Sequence, residues 1–209
     1  MSARGSGRKK PGARREPVRA PKERFLVLTE GERTEKNYLE GFAQRMRALV
    51  EVVVPDEHGV PLTLVQAAKR RRESADAEAT RERDENLRFD AIWCAFDVDQ
   101  HPHLKTAIEE ARLAAVEVAV SNACFELWLL LHFRDNPCAR LGKELAQLLR
   151  GFVPGYEKGV DFARFESGYA DAVKRAQRLA NAANEAGESF RNPTTGVWRL
   201  TEALAGRGR

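Results

Sequence analysis

The chain of 209 residues is 43% hydrophobic and 32% charged, a length and composition that bury one substantial core with room for a helical appendage. No stretch approaches the roughly 18 apolar residues of a membrane span, and the N-terminus lacks the apolar segment of a signal peptide, so the expectation is a cytoplasmic protein with no membrane partner. The formal net charge of +4 is unevenly placed: residues 1–24 hold nine Lys and Arg against two Glu, a net of +7, which leaves −3 for the rest of the chain.

That N-terminal segment, rich in Gly, Pro and Arg, reads as a disordered basic tail. It suits non-specific phosphate contact with nucleic acid as well as it suits a solubilising leader. Phe25 to Leu28 reads as a short buried strand bounded by Gly31. Thr34 is placed to cap a helix carrying Tyr38, Leu39, Phe42, Met46 and Leu49 at helical spacing. Val50 to Val54, β-branched and closed by Pro55, is the second strand. A turn over Asp56 to Pro61 leads into a long charged helix, roughly Leu62 to Asn86. Phe89 to Phe96 is the third strand, Leu104 to Leu113 a helix, and Ala115 to Val120 the fourth strand. This alternation predicts an α/β fold, a parallel sheet of about four strands flanked by helices.

After Ser121 the pattern is helical throughout: Cys124 to Phe133, Arg140 to Arg150, Tyr169 to Ala186, and Val197 to Leu204. A loop-rich connector over residues 151–167 carries several aromatics. Tyr156, Phe162, Phe165 and Tyr169 suit either base stacking or, more commonly, pinning the loop to the core. The expected organisation is a basic tail over 1–24, an α/β domain over 25–133, and a helical C-terminal extension over 134–209 packed on the same core. The three cysteines, Cys94, Cys124 and Cys138, are odd in number and lack CxxC spacing, so they read as reduced thiols rather than a disulfide frame or a zinc knuckle.

Two acidic clusters fall where predicted strands run out. Thr29-Glu30-Gly31-Glu32-Arg33-Thr34-Glu35 follows the first strand, and Asp97-Val98-Asp99 follows the third. In a parallel sheet the carboxyl ends of neighbouring strands share one crevice, where such folds place ligands. Asp97 and Asp99, two apart, point to one side if strand geometry persists. With Glu30 beside them they form a group of acids that repel one another unless a cation intervenes. Magnesium or manganese, bound through carboxylates, waters and substrate phosphates, suits that need. Gly31 lets the backbone turn sharply and approach a phosphate. His101 and His103 flank Pro102 beside this cluster, but with no third His near in sequence a surface loop is the better reading.

A hydrophobic strand ending in Glu-Gly, a helix, and a later strand ending in Asp-x-Asp resemble the Toprim domain of topoisomerases, primases and certain nucleases. That resemblance implies magnesium held by Glu30, Asp97 and Asp99, with the Glu also serving in acid–base steps. Thr29 to Glu35 followed by Lys36-Asn37-Tyr38, the long segment Ser121-Asn-Ala-Cys-Phe-Glu-Leu-Trp-Leu-Leu-Leu-His-Phe133, and Asn192-Pro-Thr-Thr-Gly-Val197 are similar, more narrowly, to the RloB-like family of bacterial defence-associated proteins. The similarity runs from about Phe25 to Leu204. Members commonly carry Pro where this chain has Ala123; Pro suits a helix's first turn, so Ala is expected to loosen the start of the next helix slightly.

Glu126 is the one acid in a helix apolar nearly all round, and a buried acid is costly unless paired or bound to a cation. It is a candidate further metal ligand, or a carboxylate paired with an arginine or helping the helix N-terminus. Glu35 is likewise either a ligand or a helix-start acid, and the resemblance favours the site. Glu32 reads as solvated, Arg33 as a phosphate contact, Asn122 as a cap (the better reading) or a residue reaching the site, and His132 as a packing histidine. The run Lys69, Arg70, Arg71 and Arg72 is a candidate nucleic-acid contact set against the commoner reading of a solvated helix face.

Two functions follow from these readings. The first is a magnesium-dependent (or manganese-dependent) Toprim-type nuclease acting on DNA or RNA, serving phage defence or abortive infection. The alternative is a non-catalytic component of a defence system that binds or senses nucleic acid or nucleotide. The resemblance also brings in a separate ATPase subunit as a partner; no GxxxxGK[ST] motif occurs here, so any ATP dependence comes from another chain.

Overall fold

The computed structural model describes residues 23–53, 60–98 and 103–206. The expected basic tail as far as residue 22, the expected turn from Asp56 as far as residue 59, and Asp99, His101 and Pro102 lie outside the described residues. The elements run β1 (Arg24–Thr29), α1 (Thr34–Met46), β2 (Leu49–Val53), α2 (Pro61–Glu82), β3 (Ala91–Asp97), α3 (Leu104–Leu113), β4 (Glu117–Asn122), α4 (Glu126–Leu131), α5 (Gly142–Phe152), α6 (Tyr169–Glu185), β5 (Thr194–Thr195) and α7 (Val197–Leu204). Single 3₁₀ turns sit at Glu85–Leu87, Phe162–Arg164 and Glu166–Gly168.

The fold is α/β, with a five-stranded, mostly parallel sheet in the order β2-β1-β3-β4-β5 and a helical C-terminal region. β1 to β4 pair in parallel, and the short β5 closes the edge antiparallel to β4. The sheet has one strand more than the sequence pattern suggests. Two residues between Pro193 and Gly196 carry no periodicity, and β5 exists because Ser121 and Thr195 share a hydroxyl hydrogen bond of 2.9 Å while the Gly196 N–H reaches the Val120 carbonyl. α2 also stops at Glu82, four residues short of its expected end, and β3 begins at Ala91 rather than Phe89.

Alternation along the central strands sorts the core into two layers. Phe25, Val27, Trp93 and Ala95 face α1 and the C-terminal helices, whereas Leu26, Leu28, Ile92, Cys94 and Phe96 face α2 and α3. β1 is therefore apolar on both sides, as a central parallel strand requires. Among the described residues no helix is long and apolar enough to cross a membrane.

The C-terminal helices belong to the first of these layers. Leu127 to Leu131 of α4 are all buried, packed with Tyr38 and Phe42 of α1, Leu145 and Leu149 of α5, and Tyr169 of α6. Tyr156, Phe162, Phe165 and Tyr169 are buried as well, so the aromatics of the connector pin it to the core and are not offered to solvent. His132 is a satisfied packing residue: its Nδ1 donates to the Trp128 carbonyl and its Nε2 accepts from the Tyr38 hydroxyl, each at 3.0 Å. Burial pushes its pKa down to about 4, which keeps the ring neutral.

Gly168 passes so close to the His132 carbonyl that a Cβ there would overlap backbone. Gly168→Ala is expected to lower stability by at least ~1–3 kcal/mol, the usual cost of overpacking, read as a lower urea midpoint with an unchanged m-value.

Candidate active site

Strand order places the reversal of the sheet between β1 and β3: α1 carries the chain outward to β2, and α2 returns it across the other face to β3. Ligands bind at such a switch point, outside the carboxyl ends of the strands. The register pairs Thr29 with Ala95, so Glu30 and Asp97 leave the sheet side by side. The Glu30 N–H donates to the Ala95 carbonyl at 3.2 Å, and the Asp97 N–H donates to Glu30 Oε2 at 3.4 Å.

Glu30, Glu35, Asp97 and Glu126 line one cleft of about 560 Å³ at this edge. Glu35 is the second residue of α1, and Glu126 the first of α4. Gly31 makes the approach of Glu35 possible, because any Cβ at position 31 would overlap the Glu35 carboxylate. Burial, with the nearby charges of Glu126 and Glu30 adding to it, pushes Glu35 up to about 7, against a smaller opposing pull from Lys158 and its own backbone N–H. The thiol of Cys124, lining the same cleft, is pushed far up by burial and by Glu126 and Asp97, so it is no nucleophile near neutral pH.

Glu126 is oriented by the Tyr156 hydroxyl, which donates to its Oε1 at 2.9 Å. Tyr156 is thus the partner, where an arginine was one expectation. Thr34 is not the cap of α1: Arg33 precedes the helix, and the Thr34 hydroxyl lies 3.3 Å from that of Tyr156 and donates to the Lys158 carbonyl at 3.2 Å. Asn122 is neither a cap nor a cleft residue; its Nδ2 donates to the Phe190 carbonyl at 2.7 Å. Ala123 lies three residues ahead of α4, outside the helix's first turn, so the expected loosening there does not apply.

Arg33 and Glu32 line the cleft and are exposed, and His103 sits in an exposed turn. Lys69, Arg70, Arg71 and Arg72 lie on α2, away from the cleft lining. Arg71 contacts Glu51 at 3.3 Å, and Arg72 donates to the carbonyls of Ala114 and Ala115. The cleft also takes in Lys143 and Lys158, which the sequence pattern does not mark, since one begins a helix and the other sits in an aperiodic loop.

Carboxylates are the hard oxygen donors that magnesium and manganese prefer, so the donor chemistry of this cleft fits such an ion. Among the described residues no group of three or more His, Cys, Asp or Glu is arranged to hold one. Asp99, the second acid of the Asp-x-Asp pair, falls outside them.

Fold and cleft together define a doubly wound α/β protein with an acidic site at its switch point. The chain belongs to the RloB-like protein family, whose model matches residues 25–204, from β1 to the end of α7. No curated protein and no solved structure matches it.

The raised Glu35 pKa has a signature in stability. Between its ordinary 4.5 and about 7 the folded chain keeps a proton that the unfolded chain has lost. Stability therefore falls as pH rises through that window and levels off above it, a loss on the order of 3 kcal/mol. In metal-free buffer, urea titrations across this range should show the decline in the wild type and its flattening in Glu35→Gln. An equal decline in the variant would assign it to another group.

Proposed function

We propose that this protein is a Toprim-type, metal-dependent phosphodiester hydrolase acting on nucleic acid. The observation that carries the reading is the convergence of Glu30 and Glu35, Asp97, and Glu126, from three segments of the chain, on one cleft at the carboxyl edge of the sheet. Acids gathered in one cleft repel one another where they are ionised, and a divalent cation relieves the repulsion. Glu30, Asp97 and Asp99 would hold magnesium or manganese, with Glu126 and Glu35 beside it. Bound there, such an ion supplies Lewis acidity toward a phosphoryl oxygen and a water acidified for attack. Tyr156 keeps Glu126 in one orientation. Glu35 keeps a proton up to about pH 7 while no cation lies beside it, and an ion bound there would favour its carboxylate form.

The test is cleavage of single-stranded DNA, duplex DNA and total RNA with manganese or magnesium, comparing wild type with Asp97→Ala. The expected result is metal-dependent cutting that the variant loses by more than the ~10–100-fold that removal of a ligand-orienting group costs. The same ion should stabilise the wild type, by ~2.7 kcal/mol at a hundred times its dissociation constant, and leave Asp97→Ala unchanged. Nucleic-acid binding that persists in Asp97→Ala, with no cutting by either protein, would replace this reading with that of a binding module.

A further inference from the structure

The cleft that the acids line also takes in two lysines. Lys143 stands in the first turn of α5, and Lys158 in the loop between α5 and the 3₁₀ turn at Phe162. Both come from the C-terminal helical region, whereas Glu30, Glu35 and Asp97 come from the α/β part. Both lysines are exposed, and among the described residues neither forms an ion pair, although carboxylates line the same cleft.

Lys158 is also held in place. Its backbone is in the left-handed region, at φ 64°, which few residues other than glycine adopt. Five other non-glycine residues among the described ones share this conformation, which persists where the surroundings hold it. The enforcement here is visible: the Thr34 hydroxyl grips the Lys158 carbonyl, and the buried Tyr156, two residues earlier, is tied to Glu126. One small network thus fixes both an acid of the site and the backbone of a lysine that lines the same cleft. Lys158 lies near enough to Glu35 to offset part of the field of the other carboxylates.

We propose that Lys158 and Lys143 hold the phosphate of the nucleic-acid backbone adjoining the one that is cut; the proposal rests on the nuclease reading above. A phosphodiester approaching carboxylates alone is repelled. With two lysines lining the same cleft, the strand is drawn in, one phosphate toward the acids and its neighbour toward the lysines. Ammonium groups act here as point charges on backbone phosphate, so they position the strand without reading its sequence.

The experiment is steady-state cleavage of a short fluorescein-labelled single-stranded oligonucleotide at several salt concentrations. It compares wild type, Lys143→Ala, Lys158→Ala, the double alanine variant and Lys158→Arg. The double variant should keep the wild-type melting temperature and raise KM about tenfold, with a smaller change in kcat. The dependence of log KM on log salt should become shallower by ~0.7 for each lysine removed, the share of one phosphate contact on a single strand. Lys158→Arg should recover most of the loss. A double variant whose KM and salt slope match those of an active wild type overturns the lysine assignment and leaves the nuclease reading standing. A wild type that cuts nothing with either metal overturns the nuclease reading, and the lysine assignment with it.

Discussion

The site depends on β1 and β3 being neighbours although β2 lies between them in sequence. Because they run parallel, both release their chains at the same edge, and the Thr29–Ala95 pairing sets Glu30 beside Asp97. The Glu30 N–H extends this ladder one residue beyond the strand by bonding the Ala95 carbonyl. Both faces of β1 are apolar and buried, so its register is held by the fit of Phe25 and Val27 in one layer and Leu26 and Leu28 in the other. The acids are therefore crowded by the hydrophobic core, and the electrostatic cost of crowding is borne by core packing unless a cation relieves it.

The C-terminal region is part of the same construction. α4 buries Leu127 to Leu131 in an unbroken run, and its end is satisfied by Arg175, which donates to the Leu131 carbonyl at 2.7 Å. With α4 locked, Glu126 at its start is directed to the cleft, and Tyr156 meets its carboxylate from the connector. Tyr38 ties the two halves from within: its ring packs edge-on against Phe125, Trp128 and Phe162, and its hydroxyl bonds His132. The helical region thus contributes Gly142, Lys143, Ala146 and Lys158 to the lining of the cleft, and the family match spans both halves without a break.

Much of this was legible in the sequence where a physical signal was local. Apolar runs between turn residues disclosed β1 to β4, and helical spacing disclosed α1, α3 and α7, the last two to the residue. Glu30 and Asp97 were legible because acids placed where apolar strands end have a geometric meaning in a parallel sheet. Glu126 stood out as an acid in an apolar helix. What escaped has non-local causes. β5 is two residues long and is made by its partner, Thr34 turns away from capping because Lys158 and Tyr156 offer its hydroxyl a better place, and Asn122 is taken by Phe190. Lys143 and Lys158 reach the cleft through tertiary packing, and no spacing in the sequence connects them to residues more than a hundred positions earlier.

The central claim is that the carboxyl ends of β1 and β3 hold a divalent cation. Anomalous diffraction from crystals grown with manganese tests it directly. The account predicts one or two manganese peaks within coordination distance of Glu30 and the Asp97-Asp99 segment, absent from crystals of Asp97→Asn. Manganese confined to other surfaces, with the cleft empty at saturating metal, would contradict it.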